Sequence, residues 1–462
     1  MEREDKLALK VYARQEKALL TGRMSTTAQS VGVISFEAAR KVVLDYCRRL
    51  PVPSASEVQL LQVLGRVLAQ PVRADRDFPP FPRATRDGFA LRAADLTSVP
   101  AILRVIGQVR AGTGFNGRVG TGEAVEIMTG AAVPEGADAV VMVEHSSQCA
   151  DPTQVEVDRQ VQPGENIVGA GAEARAGQPM LATGTRLGPA QIAVAAACGQ
   201  KRVLVYDRPR VALLSTGDEL VEISQSPGLH QIRNSNSYSL AAQIEAAGGE
   251  AMRLPLAPDE PHKLSALLQA GLAGDMLLVS GGVSAGKFDL VEPALKNLGA
   301  EFFFTGALIQ PGRPVVFGEM RFAGPGNGSP RSRAAHDPGV PDRIHVPRPT
   351  LPFFGLPGNP VSTMVTFDLF VRPVLEALGG AAVSRLPSAK ARLKRDFKTK
   401  TGLTRFLPAS LIGEIDDAEV ELVPWQGSGD LLAASRANCY LVVPSDRESI
   451  AAGEMVTILM RV

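Results

Sequence analysis

One pattern constrains this chain more than any other: between residue 210 and about residue 384, an apolar strand, a glycine-rich loop and a helix follow one another repeatedly. Apolar runs predict strands at 211–214, 254–256, 276–279 and 353–356, and helical spacing predicts helices near 235–247, 261–272, 289–298 and 361–378. Such alternation predicts a parallel sheet with helices on its faces. Ligands of these sheets bind beyond the carboxyl ends of the strands.

The flanking regions have a different pattern. Ser35 is placed to cap a helix over about 36–47, and a second helix is predicted over 58–68. Apolar and polar residues alternate between 73 and 173 and again between 419 and 460, which predicts two β domains. We interpret residues 1–33 as a mobile extension. Residues 321–350, with six Pro, four Gly and five Arg, indicate a disordered insertion or a docking arm for an acidic partner.

Composition excludes several classes of protein. The 462 residues include 49 Lys plus Arg and 48 Asp plus Glu, which argues against binding of nucleic acid or a membrane surface through basic charge. The chain has four cysteines, Cys47, Cys149, Cys198 and Cys439. Their spacing is not that of zinc ligands or of a disulfide framework. No run approaches the ~20 apolar residues of a membrane span, and the first residues lack a signal-peptide core. We therefore expect a cytoplasmic protein with no nucleic-acid or membrane partner.

The first loop of the α/β region has two adjacent carboxylates directly after a strand. Its candidate ligand-binding residues are Ser215, Thr216, Gly217, Asp218 and Glu219. Adjacent carboxylates repel one another unless a cation or a proton intervenes, so Mg²⁺ is a natural ligand. A solvated turn is the alternative.

The second loop, 280–289, is suited to an anion. Its candidate residues are Gly281, Gly282, Ser284 and Gly286. Glycines let the backbone approach an anion, and a helix beginning near Asp289 offers free N–H groups to phosphate. The spacing Gly281, Gly286, Lys287 nearly matches a P-loop, but Phe288 stands where Ser or Thr would bind the metal. A phosphate-binding loop of another type is favoured, and a plain tight turn remains open.

The third loop, 355–362, again joins a strand to a helix. Pro357, Gly358 and Asn359 precede Pro360 at the first helical turn, where Asn359 can cap and Ser362 can donate. Arg313 lies on a separate proline-flanked turn and suits an oxyanion, with a surface salt bridge as the alternative. Three loops at one sheet edge predict a site for a phosphorylated ligand.

Several separated motifs together resemble the MoeA family of molybdopterin molybdenumtransferases, which is related to the E domain of gephyrin. The motifs are STGDEL (215–220), SGGVSAG (280–286) with Asp289, PGRP (311–314), LPGNPVS (356–362), PPF (79–81) with RDGFA (86–90), and IMTGA (127–131) with PEGADAVV (134–141). The likeness extends from residue 35 to 462, apart from the insertion.

The resemblance implies a multidomain α/β plus β fold, an elongated chain of four subdomains. These would be a helical domain I (35–73 and 174–207, with 35–54 on domain III), a β-rich domain II (74–173), a parallel, MogA-like α/β domain III (208–384, insertion 321–350) and a β-barrel-like domain IV (385–462). It also implies a homodimer whose cleft is shared between subunits. There domain III would face the partner's domain II, which carries Asp87 and Thr129.

The resemblance further implies that adenylylated molybdopterin and molybdate react with Mg²⁺ present, releasing AMP. Catalytic roles would fall to Asp87, Thr129, Glu219, Asp259 and Asp289, and the last three would hold the metal. Arg313 and Ser362 would bind molybdate. A molybdopterin adenylyltransferase and apo-molybdoenzymes would be partners. The chain departs from the family pattern at 166–173, where two cations and a carboxylate are missing, and at Gln310 and Pro408, which replace a lysine and an arginine. A non-catalytic carrier or scaffold of the same fold is the alternative.

Overall fold

A computed structural model describes residues 32–282, 290–322, 350–382 and 385–461. The predictions of an extension over 1–33 and of an insertion over 321–350 therefore lie almost wholly outside the described residues. The described chain divides into two compact units: a smaller one, 57–64 and 68–205, and a larger one made of the remaining residues. None of the helices in the described ranges has both the length and the apolar character needed to cross a bilayer.

The larger unit is built on a six-stranded sheet. In spatial order its strands are Glu250–Arg253, Arg210–Ser215, Met276–Ser280, Thr350–Leu356, Val316–Arg321 and Ala300–Phe304. The first four pair in parallel, as the strand and helix alternation predicted. Val316–Arg321 is antiparallel to both of its neighbours, so the sheet is mixed at one edge. The strand predicted at 254–256 instead spans Glu250–Arg253.

Helices cover both faces of this sheet. Successive side chains of a strand point to opposite faces, so both faces of a strand with apolar residues throughout must be covered. Leu213 belongs to a core that includes residues of the helices Phe36–Cys47, Asn236–Ala246, Pro360–Thr366 and Arg372–Leu378. Leu214 packs on the opposite face with Pro261–Gly271 and Val291–Asn297. Ser35 caps the first helix as predicted, since its side chain accepts a hydrogen bond from the Ala38 amide at 3.1 Å. A π-helical turn, Phe367–Val371, interrupts the helix predicted over 361–378.

The larger unit ends in a closed barrel of five strands. They are, in order around the barrel, Thr404–Ile412, Glu419–Leu422, Ser388–Leu393, Met455–Met460 and Cys439–Val443. The last strand pairs with the first, with Arg405 opposite Val443, and this pairing closes the ring. Leu407, Leu441 and Ile458 fill the interior. The barrel-like fold predicted for the C-terminal region is confirmed.

The smaller unit contains a second six-stranded sheet. Its strands are, in spatial order, Ala139–Met142, Gly88–Leu91, Glu123–Ile127, Ala101–Val109, Gln154–Val157 and Ser146–Gln148. All pairs are antiparallel except that between Glu123–Ile127 and Ala101–Val109. Leu91 and Val125 belong to separate cores on the two faces. The residues that alternate between 73 and 173 thus form a two-sided sheet.

The helix predicted over 58–68 is wrong. This segment contains the end of a strand, Ala55–Gln59, and one 3₁₀ turn, Leu60–Gln62. The Leu60 amide donates to the Lys201 carbonyl at 3.0 Å, and Leu68 forms a β-bridge with Val205. Backbone pairing with a strand more than 130 residues away has overridden the local helical spacing.

The remaining elements are short connections. They are the helices Pro189–Ala197 and Leu431–Arg436, the 3₁₀ turns Ala93–Leu96 and Val143–His145, and the strands Val33–Ile34, Val72–Arg73, Arg83–Ala84, Ile167–Val168, Pro179–Leu181, Arg202–Tyr206, Leu220–Val221, Ile232–Arg233, Gly306–Ala307, Ile309–Gln310, Phe397–Lys398 and Ser449–Ile450.

Candidate functional site

The three predicted loops leave adjacent parallel strands at the same edge of the sheet. Ser215 is in register with Ser280, and Ser280 with Leu356. The ladder continues one step further, because the Thr216 amide donates to the Ser280 carbonyl and the Gly281 amide to the Leu356 carbonyl, both at 3.1 Å. The prediction that these strand ends meet at one edge is confirmed.

The first loop is tied to the connection that carries Asp259. The Thr216 hydroxyl donates to Asp259 Oδ1 at 3.0 Å, and the Asp259 amide donates to Asp218 Oδ1 at 3.0 Å. Thr216 is buried, whereas both aspartates are exposed. Asp259 and Asp218 are 41 positions apart in sequence, and these two hydrogen bonds tie the two exposed loops that carry them.

Glu219 is the second carboxylate of the first loop, next to Asp218. Its Oε2 lies 2.4 Å from where a Cβ on Gly217 would be, so the side chain folds over a glycine with φ of +143°. Carboxylate oxygens are the ligands that Mg²⁺ prefers, so the donor chemistry fits the predicted metal. Within the described ranges no three acidic, histidine or cysteine side chains form a metal-binding cluster. Asp289, the third predicted ligand, lies outside those ranges.

Two glycines pack the second loop directly against the first. A Cβ on Gly281, whose φ is +90°, would lie 2.5 Å from the Thr216 carbonyl oxygen. A Cβ on Gly282 would lie 2.8 Å from Val291 Cγ2 and 2.9 Å from Thr216 Cγ2. Glycine is therefore required at both positions. Ser284 and Gly286, also predicted for this loop, lie outside the described residues.

The third loop lies beside the second: the Gly281 amide donates to the Leu356 carbonyl, and a Cβ on Gly358 would lie 3.7 Å from Gly281 Cα. Asn359 occupies the N-cap position of Pro360–Thr366, but the predicted capping by its side chain is wrong. Its Nδ2 donates instead to the Ser428 hydroxyl at 2.9 Å. The Thr363 hydroxyl donates to the carbonyls of Pro357 at 2.5 Å and Asn359 at 3.0 Å and so secures the loop from within the helix.

The Arg313 turn packs against the helix that follows the third loop. Its neighbour Gly312 has a φ of +105°, and a Cβ there would lie 2.4 Å from Thr366 Cγ2 and 3.5 Å from the Ser362 carbonyl oxygen. Ser362 is buried and Arg313 is exposed. The structure thus brings the turn that carries Arg313 against the helix that carries Ser362.

Sequence reasoning missed a polar segment that joins all three loops. Asn236 Nδ2 donates to the Gly358 carbonyl at 2.7 Å and to the Ser280 hydroxyl at 3.1 Å. The hydroxyls of Ser237 and Ser215 are 2.9 Å apart. The only signal in the sequence was an N-S-N-S run before a helix, which indicated capping and nothing more.

Asp87 and Thr129 are in contact within the smaller unit, although 42 positions separate them. Asp87 Oδ1 accepts from the Thr129 amide at 2.6 Å and from its hydroxyl at 2.8 Å. The amide first and the hydroxyl second hold the pKa of the Asp87 carboxyl below its usual value. Next to Asp87 only glycine fits, because a Cβ on Gly88 would lie 1.9 Å from the Val141 carbonyl oxygen.

Family models match most of the chain. Residues 34–199 match the MoeA N-terminal region (domain I and II). Residues 212–377 match a probable molybdopterin binding domain. Residues 390–460 match the MoeA C-terminal region (domain IV).

Individual relatives agree with these matches. Proteins named molybdopterin molybdenumtransferase are 32% identical in Nostoc sp., over 87% of this chain and 88% of the relative, and 31% identical in Haemophilus influenzae, over 92% and 98%. The crystal structure of a molybdopterin biosynthesis moeA protein from Pyrococcus horikoshii OT3 is 29% identical, with a TM-score of 0.71 over 93% of this chain and all of that one. This chain belongs to the MoeA family.

Proposed function

We propose that this protein is a molybdopterin molybdenumtransferase, which inserts molybdenum from molybdate into molybdopterin. The observation that carries the proposal is the contact of three loops at one edge of the α/β sheet, inside the region matched by a molybdopterin-binding family model. Relatives that carry this name match the chain over 84–92% of its length.

The substrate form we propose is adenylylated molybdopterin, whose phosphate oxygens suit the glycine loops. Gly281, Gly282 and Gly358 have no side chains to keep an anion away from the backbone, and N–H groups at such turns bind phosphate. Molybdate, the second substrate, is a dianion and would bind at Arg313, with Ser362 on the adjacent helix. Both roles come from the family resemblance and are supported by the packing of the Arg313 turn on that helix.

We propose further that Mg²⁺ is held by Glu219 and Asp259, with Asp289 as a ligand from the resemblance. The ion would neutralise phosphate oxygens during release of AMP. The hydroxyl of Thr216 orients Asp259 by donating to Oδ1, and Asp218 holds the Asp259 backbone. Asp87, held by Thr129, is the proposed catalytic carboxylate of the smaller unit.

From the family resemblance we also propose a homodimer with a shared cleft. An adenylyltransferase would supply the substrate, and apo-molybdoenzymes would receive the product. We propose a cytoplasmic location because all four cysteines are free, as is usual where the surroundings keep thiols reduced.

An anaerobic assay of the purified protein tests the function. Adenylylated molybdopterin, molybdate and Mg²⁺ are supplied, and both AMP release and activation of an apo-molybdoenzyme are followed. We expect both, with activation dependent on molybdate and lost when molybdate is omitted. If molybdopterin binds but neither readout appears, the protein is a carrier and the proposal is wrong.

A further inference from the structure

We infer that Asn236 is a positioning residue, which fixes the distance between the second loop (280–282) and the third loop (357–359). The inference rests on the proposed function, because these loops are the proposed binding surface for molybdopterin phosphates. We assign Asn236 no contact with the substrate; it acts through Ser280 and Gly358.

The orientation of the Asn236 amide follows from its partners. A backbone carbonyl can only accept, so the amide nitrogen must face the oxygen of Gly358 at 2.7 Å. The same nitrogen donates its second hydrogen to the Ser280 hydroxyl at 3.1 Å. One planar group therefore links two loops from different strands, and rotating the amide would break the link to Gly358.

Helix capping does not explain this side chain. Asn236 is the first residue of Asn236–Ala246, the N-cap position belongs to Ser235, and no side-chain capping bond is formed there. Asn236 Oδ1 is shielded from solvent and has no hydrogen-bond partner in the described part of the chain. A buried acceptor without a partner is unfavourable, so the side chain keeps its two loop contacts at a cost in stability.

The residues on either side of Asn236 are buried and hydrogen-bonded to one another. Asn234 and Ser237 are 2% and 3% exposed. Asn234 Nδ2 donates to the Ser237 hydroxyl at 2.6 Å, and the Ser237 amide donates to Asn234 Oδ1 at 3.2 Å. The Ser237 hydroxyl then meets that of Ser215, at the start of the first loop. Ser237 thus attaches the start of the helix to the first loop, while Asn236 links the second loop to the third.

A link of this kind matters because the backbone ladder between the two strands reaches only to the bond from the Gly281 amide to the Leu356 carbonyl, two residues before Gly358. Backbone N–H groups of two loops can hold one phosphorylated ligand only at the correct separation. Displacement of binding groups by about 1 Å can lower a rate by roughly 100-fold. Loss of the Asn236 bridge should therefore impair substrate use more than it impairs folding.

The test compares Asn236→Ala with Asn438→Ala in the full-length protein. Asn438 lies in the barrel region, where its amide donates to the Leu411 carbonyl at 3.0 Å and accepts from the Leu411 amide at 2.8 Å. Each variant loses two hydrogen bonds. We expect Asn236→Ala to lower kcat/KM for adenylylated molybdopterin by about 10- to 100-fold, mainly through KM. Asn438→Ala should keep the wild-type values. Equal effects in the two variants, or none in Asn236→Ala, would overturn the inference.

Asn236→Asp provides a readout that loss of stability alone would not give. When protonated, the carboxyl can donate to the Gly358 carbonyl, and when ionised it cannot. Its KM relative to wild type should therefore fall as pH is lowered through the pKa of the new carboxyl. A ratio that does not change with pH contradicts the inference, and this variant serves if Asn236→Ala does not fold. An inactive wild type would refute the proposed function instead, whereas an active wild type with an unaffected Asn236→Ala refutes only the role of Asn236.

Discussion

The loop edge of the α/β sheet and the Asp87–Thr129 pair each carry proposed catalytic carboxylates, and the two regions are built differently. At the loop edge, the hydroxyl of buried Thr216 holds the exposed carboxylate of Asp259, and the Asp259 backbone amide holds the exposed carboxylate of Asp218. In the smaller unit, one exposed carboxylate is held by one exposed threonine. The first arrangement couples function to packing, whereas the second leaves its carboxylate nearly independent of the core.

The largest effect is expected for the carboxylates of the loop edge. Glu219→Gln and Asp259→Asn should each lower turnover by about 100-fold or more, because an amide cannot replace an anionic ligand of a metal. The melting temperature should not change, since both side chains are exposed. Steady-state AMP release and thermal unfolding measure the two quantities.

Glu260→Gln is the matched control for these variants. Glu260 adjoins Asp259 but pairs with Lys263 at 2.8 Å, with both side chains more than half exposed. Its turnover should equal that of wild type. Unchanged rates in both Glu219→Gln and Asp259→Asn would rule out the proposed metal role.

The next largest effect is expected for Gly281→Ala, which disturbs packing at the same loop edge of the α/β sheet. Gly281→Ala places a methyl group 2.5 Å from the Thr216 carbonyl oxygen and forces alanine to a φ of +90°. Strain of this kind costs about 1–3 kcal/mol, and the clash adds to it. Urea unfolding should show the lower free energy of unfolding, and molybdopterin affinity should fall with it.

Gly402→Ala separates the effect of backbone strain from the effect of the steric clash. Gly402 has a φ of +99° but nothing within 4 Å of its would-be Cβ, so alanine there meets only the backbone strain. Gly281→Ala should be clearly the less stable of the two. Equal stability would show that the two loops do not pack as tightly as described.

The smallest effect on stability is expected for the Asp87–Thr129 pair. Thr129→Val removes one of two hydrogen bonds, so the pKa of Asp87 should rise part of the way to its usual value, as followed by carboxyl NMR titration. Because the folded pKa is lowered, the stabilising contribution of Asp87 is present above the usual carboxyl pKa. It is lost as pH falls through the lowered value.

The chain offers a close control for this pair. Asp151 Oδ1 accepts from the amide of Thr153 at 2.9 Å and from its hydroxyl at 2.6 Å, and its pKa is lowered by the same two interactions. Thr153→Val should shift the pKa of Asp151 similarly. Asp87→Asn should reduce turnover by about tenfold or more, and Asp151→Asn should not. Equal losses of turnover would remove Asp87 from the proposed mechanism.

The sequence predicted the parts of the fold that depend on local pattern. Strand, loop and helix alternation placed Ser215, Ser280 and Leu356 at one edge, because carboxyl ends of neighbouring parallel strands must coincide. It failed where distant pairing decides the structure. The segment 58–68 pairs with a strand near residue 205, and Val316–Arg321 inserts antiparallel into the sheet.

The site was predictable to a similar extent. The glycine loops were predictable because a glycine marks a place where the backbone has no room for a side chain. Gly281, which lies close to the Thr216 carbonyl, is an example. The amide of Asn236 gave no such signal, because its partner Gly358 is 122 positions away. Asp87 and Thr129 were paired only by family resemblance, since their contact depends on how two strands of the smaller unit lie side by side.

Hydrogen exchange of the full-length protein with and without molybdopterin tests most directly the claim that the three loops form the binding surface. We predict slower exchange in peptides covering 215–220, 280–282 and 357–359, with no change in the barrel strand Thr404–Ile412. Protection confined to other segments, or none at these loops while molybdopterin is bound, would contradict the account.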